Sequence, residues 1–214
     1  MNKNTIIENL RSKSGITELN AMQRVMADTD ASDIMLLAPT GSGKTVAFTL
    51  YMLGRLSAST PKPGALVLAP SRELVLQIHD VVRPLATGLK CVALYGGHSM
   101  TDEVNSLSVT PDIVIATPGR LLDHIQRRQI DLAATKILVL DEYDKSLELG
   151  FADEMSRIVR RLRSRSNTVL TSATRLQEIP DFMDMKQIET VDFTATTPAP
   201  RSRMQIVEVE SPSR

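Results

Sequence analysis

Ala38-Pro39-Thr40-Gly41-Ser42-Gly43-Lys44-Thr45 sets a lysine and a hydroxyl residue directly behind two glycines. The octapeptide follows an apolar run, Ile34-Met35-Leu36-Leu37, and precedes an amphipathic run over residues 46–56. That order reads as strand, glycine-rich loop, helix. Glycines let successive backbone N–H groups point at one anion, so the loop can wrap a phosphate chain. The helix that starts at Lys44 adds its positive N-terminal end. Lys44 is expected to reach the β- and γ-phosphates as a mobile point charge. The Thr45 hydroxyl is expected to ligate Mg²⁺. Ala38 stands where the general pattern opens with glycine.

A second group of chemically capable residues is Asp141-Glu142-Tyr143-Asp144, directly after the apolar run Ile137–Leu140. A carboxylate at the end of a buried strand, paired with a phosphate loop, is what a magnesium-nucleotide site requires. Asp141 is expected to hold Mg²⁺ through its water shell. Glu142 is expected to orient and deprotonate an attacking water. The bland alternative is an exposed acidic turn. His79, His98 and His124 are scattered without metal-ligand spacing, which reads as structural. Arg157, Arg160, Arg161, Arg163 and Arg165 form either a nucleic-acid patch or a solvated helix face. The second reading is preferred, because Phe151, Met155, Ile158 and Leu162 give that helix a core stripe and Asp153 can pair with Arg157. The ten methionines read as core filler.

These residues need a scaffold, and the sequence supplies one. Strand-length apolar runs recur at 34–37, 65–69, Cys91–Leu94, Ile113–Ala116, Ile137–Leu140 and 168–170, with a further candidate at 188–193. Most are continuous rather than alternating, as in strands buried on both faces of a parallel sheet. Helical patterns lie between them at 46–56, Arg72–Leu85, 119–127 and 152–162. Thr17 is the expected N-cap of a helical lead-in carrying Leu19, Met22, Val25 and Met26. Alternating strand and helix predicts an α/β domain with right-handed crossovers and a mostly parallel sheet covered on both faces. Ligands of such sheets sit beyond the carboxyl ends of the strands, where both groups above fall.

The chain has 214 residues, 42% hydrophobic and 23% charged, enough for one large domain with a core. Lysine plus arginine and aspartate plus glutamate balance at 25 each, so any basic binding surface is local. The single cysteine, Cys91, excludes an internal disulfide and reads as a buried small hydrophobe in a reducing, cytoplasmic setting. No run approaches the ~20 apolar residues of a membrane span. Residues 194–203 read as a linker and Met204-Gln205-Ile206-Val207-Glu208-Val209-Glu210 as a new strand, so a following domain is expected.

Three further stretches follow strands: Pro70-Ser71-Arg72-Glu73-Leu74, Thr117-Pro118-Gly119-Arg120 and Ser172-Ala173-Thr174. With Gln23, Ala38 to Thr45 and Asp141 to Asp144, they resemble the first RecA-like domain of DEAD-box RNA helicases. The resemblance keeps the family's order and runs from about Gly15 to Thr174. It implies a RecA-like P-loop domain over residues 1–193 that binds ATP and Mg²⁺, with 194–214 leading into a second RecA-like domain of the full-length chain. It implies that Gln23 reads the adenine edge and that residues 38–45 hold the triphosphate. Ser172, Ala173 and Thr174 would couple to Asp144 and link nucleotide state to strand separation. Pro70, Ser71, Arg72, Glu73, Gly96, Gly97, Thr117, Pro118, Gly119 and Arg120 would contact the RNA backbone without reading sequence.

Five positions depart from the family pattern. Tyr143 replaces its alanine, and either alters the link to residues 172–174 or packs outward. Leu19 and Asn20 replace a proline and a small hydroxyl residue. Ile6 lies near an adenine-stacking aromatic of the family, and Lys145 stands for a frequent arginine. The implied activity is ATP hydrolysis driving RNA unwinding, with this half alone nearly inactive. A DNA translocase, a general P-loop NTPase and a nucleotide-gated RNA-binding scaffold are the rival readings.

Overall fold

The structure, a computed structural model, describes residues 3–56, 60–97, 99–175 and 178–195. His98, the expected linker beyond residue 195 and the expected strand at 204–210 lie outside the described residues. Seven strands form one sheet: β1 (Asp33–Leu37), β2 (Ala65–Leu68), β3 (Cys91–Leu94), β4 (Ile113–Ala116), β5 (Ile137–Leu140), β6 (Asn167–Ser172) and β7 (Ile188–Asp192). Their order is β3-β4-β2-β5-β6-β1-β7, and every pairing is parallel. Side chains alternate between the two faces, so each strand feeds two cores. Ile34, Leu36, Val67, Ile115, Val139 and Val169 enter one. Met35, Leu37, Leu66, Val114, Leu138, Leu140 and Leu170 enter the other. Burial on both faces is why the strands read as continuous apolar runs.

Helices α1 (Lys3–Ser14), α2 (Ala21–Asp28), α3 (Lys44–Arg55) and α4 (Arg72–Leu85) cover the first face. Helices α5 (Met100–Leu107), α6 (Pro118–Gln126), α7 (Tyr143–Glu148) and α8 (Ala152–Val159) belong to the second. The expected lead-in helix starts later than its sequence suggested. Its N-cap is Asn20, not Thr17: the Asn20 side chain accepts the Gln23 N–H at 2.9 Å, and the Gln23 side chain accepts the Asn20 N–H at 3.0 Å. This reciprocal pair satisfies two otherwise orphaned donors, which a threonine three residues upstream cannot do. Strand β6 runs two residues past the apolar run, through Thr171 and Ser172, because those polar side chains are buried against partners described below.

Tyr143 does not pack outward. Its side chain is fully buried in the second core, and its hydroxyl has no hydrogen-bond partner among the described residues. Burial also pushes its pKa well above the usual tyrosine range. A large ring here fills volume, while its hydroxyl contributes nothing to offset desolvation. Tyr143→Phe is therefore expected to melt at or above the wild-type temperature. Tyr143→Ala, the family's residue, is expected to lose ~3–5 kcal/mol through the cavity it leaves. Equal stability of the alanine variant in chemical denaturation would contradict the inward placement.

Candidate functional site

β1, β6 and β5 are neighbours in the sheet, so their carboxyl ends bring residues 38–45, 172–174 and 141–144 to one edge. Hydrogen bonds tie the three ends together. The Ala38 N–H donates to the Ser172 carbonyl at 3.1 Å. The Thr171 hydroxyl donates to Asp141 Oδ1 at 2.5 Å and accepts the Glu142 N–H at 3.1 Å. The Thr174 hydroxyl donates to Asp144 Oδ2 at 3.1 Å. The Ser172 hydroxyl donates to the Thr174 carbonyl at 2.6 Å and lies within reach of the same carboxylate. The expected link between residues 172–174 and Asp144 is thus present beside the inward-packed Tyr143.

Lys44 begins α3, and its ammonium folds back onto the loop, donating to the carbonyls of Ala38 at 2.6 Å and Pro39 at 3.0 Å. Burial holds its pKa below the ordinary lysine value, against the pull of Asp141, Glu142 and Asp144. Lys44 and the three carboxylates follow the carboxyl ends of β1 and β5, the two strands that flank β6. Burial acts on Asp141 in the opposite sense, raising its pKa against the Thr171 hydroxyl and the Lys44 charge. Asp144 is held below the usual range: burial works to raise it, and hydrogen bonds from Ser172, Thr174 and the Lys145 and Ala173 N–H groups outweigh that. Glu142 occupies the left-handed region at φ 48°, rare for a residue with a β-carbon, and its carboxylate pairs with Lys145 at 3.0 Å.

The loop itself is shaped by its glycines at two positions. Gly41 and Gly43 have φ of 78° and 91°. A β-carbon on Gly43 would meet the Gln23 amide nitrogen at 2.7 Å. Gln23 therefore stands against the loop, donating to the Gly43 carbonyl at 3.4 Å, while Asn20 donates to Ser42 at 3.0 Å. Thr45 is half-buried in the first turn of α3 and Thr40 is exposed. Ile6 is not part of this group; it is buried in the first core.

The other half of the same edge belongs to β2, β4 and β3, adjacent in the sheet. Their carboxyl ends carry residues 70–73, 117–120 and Gly96-Gly97. Arg72 is exposed, lies 5.2 Å from the centre of the Tyr95 ring, and would stand 3.1 Å from a β-carbon on Gly97. Gly97 also has φ of 91°, so a side chain there would be strained as well as crowded. Ser71 caps α4 by accepting the Leu74 N–H at 3.3 Å. Thr117 and Pro118 open α6 with no side-chain cap. Arg120 differs from the open cation its motif implied: its Nε donates to Glu103 at 2.5 Å. Glu103, nearly fully buried, also takes the Tyr95 N–H at 2.9 Å and His124 Nε2 at 2.6 Å.

Thr171 and Glu103 are neighbours of the site that the sequence did not mark, and Asn20 and His124 stood out there only as a departure from the family pattern and a structural histidine. Asn20 had a signal in the capping-box spacing to Gln23. Thr171 had only its place beside Ser172. Glu103 had none, because a lone acid in a polar helix is ordinarily solvated.

Burial sets the direction of a pH effect. Asp141 titrates above its unfolded value of about 3.9, so its contribution to stability is complete below that pH and is lost as pH rises through the folded pKa. Asp141→Asn keeps an acceptor for Thr171 and removes the buried charge. It is expected to raise the melting temperature of the free chain at pH 7 more than at pH 4. A variant less stable than wild type at pH 7 would contradict this.

Three comparisons bear on the chain as a whole. The family described as DEAD/DEAH box helicase matches residues 19–182. The chain is 41% identical over 157 residues to an ATP-dependent RNA helicase DBP10 of Coccidioides immitis, covering 72% of this chain and 17% of that protein. It is 40% identical over 153 residues to an ATP-dependent RNA helicase DeaD of Klebsiella pneumoniae, covering 70% of this chain and 24% of that one. The fold superposes on a DEAD box protein from Methanococcus jannaschii with a TM-score of 0.78 at 29% identity, covering 88% of this chain and 53% of the other. No helix of the described residues is long and apolar enough to cross a membrane. The RecA-like α/β scaffold, the ordered motifs at its strand ends and these likenesses converge: the chain belongs to the DEAD/DEAH box helicase family.

Proposed function

We propose that this chain is the N-terminal, ATP-binding half of an ATP-dependent RNA helicase, resident in the cytoplasm. The observation that carries the reading is that Lys44 on one side and Asp141, Glu142 and Asp144 on the other follow the carboxyl ends of β1 and β5, the two strands that flank β6. Residues 38–45 hold the triphosphate: the first N–H groups of α3 and the Lys44 ammonium face it, and phosphate oxygens replace the Ala38 and Pro39 carbonyls as the lysine's acceptors. Gln23, already against Gly43, offers one amide donor and one acceptor to adenine.

Mg²⁺ fits the residues present. Asp141 is a buried carboxylate whose charge burial penalises, and a hard divalent cation relieves that penalty. No group of three or more metal-ligating side chains stands together among the described residues, in keeping with an ion held mainly by phosphate and water. Thr45 and Asp141 would hold it, and it supplies neutralisation of charge on the phosphates.

Glu142 accepts a proton from the water that attacks the γ-phosphorus in line, giving ADP and phosphate. Its left-handed backbone aims the carboxylate from the end of β5, and Lys145 steadies it. Release of phosphate is felt at Asp144, whose partner Thr174 leads out of the sheet. Across the edge, Arg72, the backbone around Gly97 and the uncapped N–H groups of Gly119 and Arg120 contact RNA phosphates. Pro70, Ser71, Glu73, Gly96, Thr117 and Pro118 shape those loops. Arg120 acts by orienting its loop through Glu103.

A second RecA-like domain of the full-length chain completes the site with arginines. Such a finger is worth roughly 10³–10⁵ in rate, so the 214 residues alone are expected to turn over very slowly. In the full-length protein, Glu142→Gln is expected to lower phosphate release ~10²–10⁴-fold while ATP-dependent RNA binding persists. Unchanged release would favour a scaffold. Calorimetry is expected to show ATP bound more tightly than GTP through Gln23; equal affinities would favour a general NTPase.

A further inference from the structure

Opposite the cleft, at the amino ends of β2, β4 and β5, lies a cavity of about 550 Å³. Lys62, Arg128, Arg161 and Arg163 line it, against one carboxylate, Asp131. Lys62 is paired with Asp112 at 2.9 Å, and Asp131 accepts the Ala133 N–H at 2.9 Å. Among the described residues no ion pair engages Arg128, Arg161 or Arg163. The arginine run that sequence alone assigned to a solvated helix face thus contributes two of its members to the rim of an open cavity.

Two features mark the cavity as preformed. Arg128 follows α6 with φ of 56°, a position where glycine or asparagine is the unstrained choice. The wall residue Gln129 is fixed by His124 Nδ1 at 2.7 Å, and His124 is in turn held by Glu103 at 2.6 Å, both of the latter buried. Apart from Thr110 the remaining lining is apolar, including Leu107, Ile130 and Leu132. The volume falls within the ordinary range for small-molecule pockets. Guanidinium forks match phosphoryl oxygens two at a time. A nucleic-acid strand needs a continuous cationic track, whereas an apolar floor with a cationic rim suits a compact amphiphile.

We propose that this cavity is a second ligand site, separate from the cleft, that takes a small molecule carrying two or more phosphoryl groups on a compact apolar body. Inorganic tripolyphosphate is the probe, titrated calorimetrically into the chain at low salt. Two binding events are expected. Lys44→Ala removes one, and the double variant Arg161→Glu/Arg163→Glu weakens the other by about tenfold or more. Both arginines are exposed, and Leu162 between them stays in the core. Arg128→Gly relieves the strained backbone, so it is expected to fold at least as well while weakening the same event. A single event abolished by Lys44→Ala would overturn the proposal. So would equal weakening by Arg157→Glu/Arg160→Glu, which lie at the carboxyl end of α8 and outside the cavity lining. Displacement of tripolyphosphate from the cavity at lower concentration by hexaglutamate or a uridine oligomer would overturn it in favour of a macromolecular partner.

Discussion

The end of β6 holds the cleft together. Thr171 and Ser172 lie between the strand that leads to the glycine-rich loop and the strand that leads to Asp141. Through one hydroxyl, Thr171 touches both the Asp141 carboxylate and the Glu142 backbone. Through its carbonyl, Ser172 takes the Ala38 N–H at the start of the loop. The Thr171 contacts need a polar side chain to be buried at a strand end, where a hydrophobic one would pack as well, whereas the Ser172 contact is made by backbone alone. The polar choice fixes how far the lysine side of the site stands from the acid side. Parallel strands in register make that spacing rigid, because neither neighbour can slip without flipping its buried face.

Burial then sets the charges against each other. Lys44 and Asp141 are each penalised for being ionised, and each partly compensates the other. A site of this kind is electrostatically unfinished. In the proposed function a polyphosphate would relieve the lysine and a divalent cation the aspartate, so the protein's own desolvation would favour both ligands arriving together. The same physics explains why Asp144, less buried and surrounded by donors, stays readily ionised. Glu142, left-handed in backbone and paired with Lys145, adds a further negative charge that works to raise the Asp141 pKa.

The sheet was legible because strands buried on both faces must be continuously apolar, and the loop was legible because glycine is the residue that adopts the left-handed backbone of Gly41 and Gly43 without strain. The ordering of motifs along one edge followed from the parallel arrangement. Helix α5 escaped notice because its buried contacts rest on Glu103 and Leu107 rather than on an apolar stripe. Helix α1 hid because its mean hydropathy is low, although Ile6 and Leu10 are buried. The direction of Tyr143 could not be read locally, since only the depth of the second core makes room for a ring. Arg120 looked like a free cation because its partner sits 17 residues upstream in a different helix.

The central claim is that Lys44 and Asp141 act on one Mg²⁺-bound polyphosphate. The direct test is a double-mutant cycle in Mg²⁺-ATP affinity, measured by calorimetry on wild type, Lys44→Ala, Asp141→Asn and the double variant. A shared ligand predicts a coupling energy of about 0.5–3 kcal/mol between the two sites. Strict additivity, within the error expected of independent positions, would contradict the account.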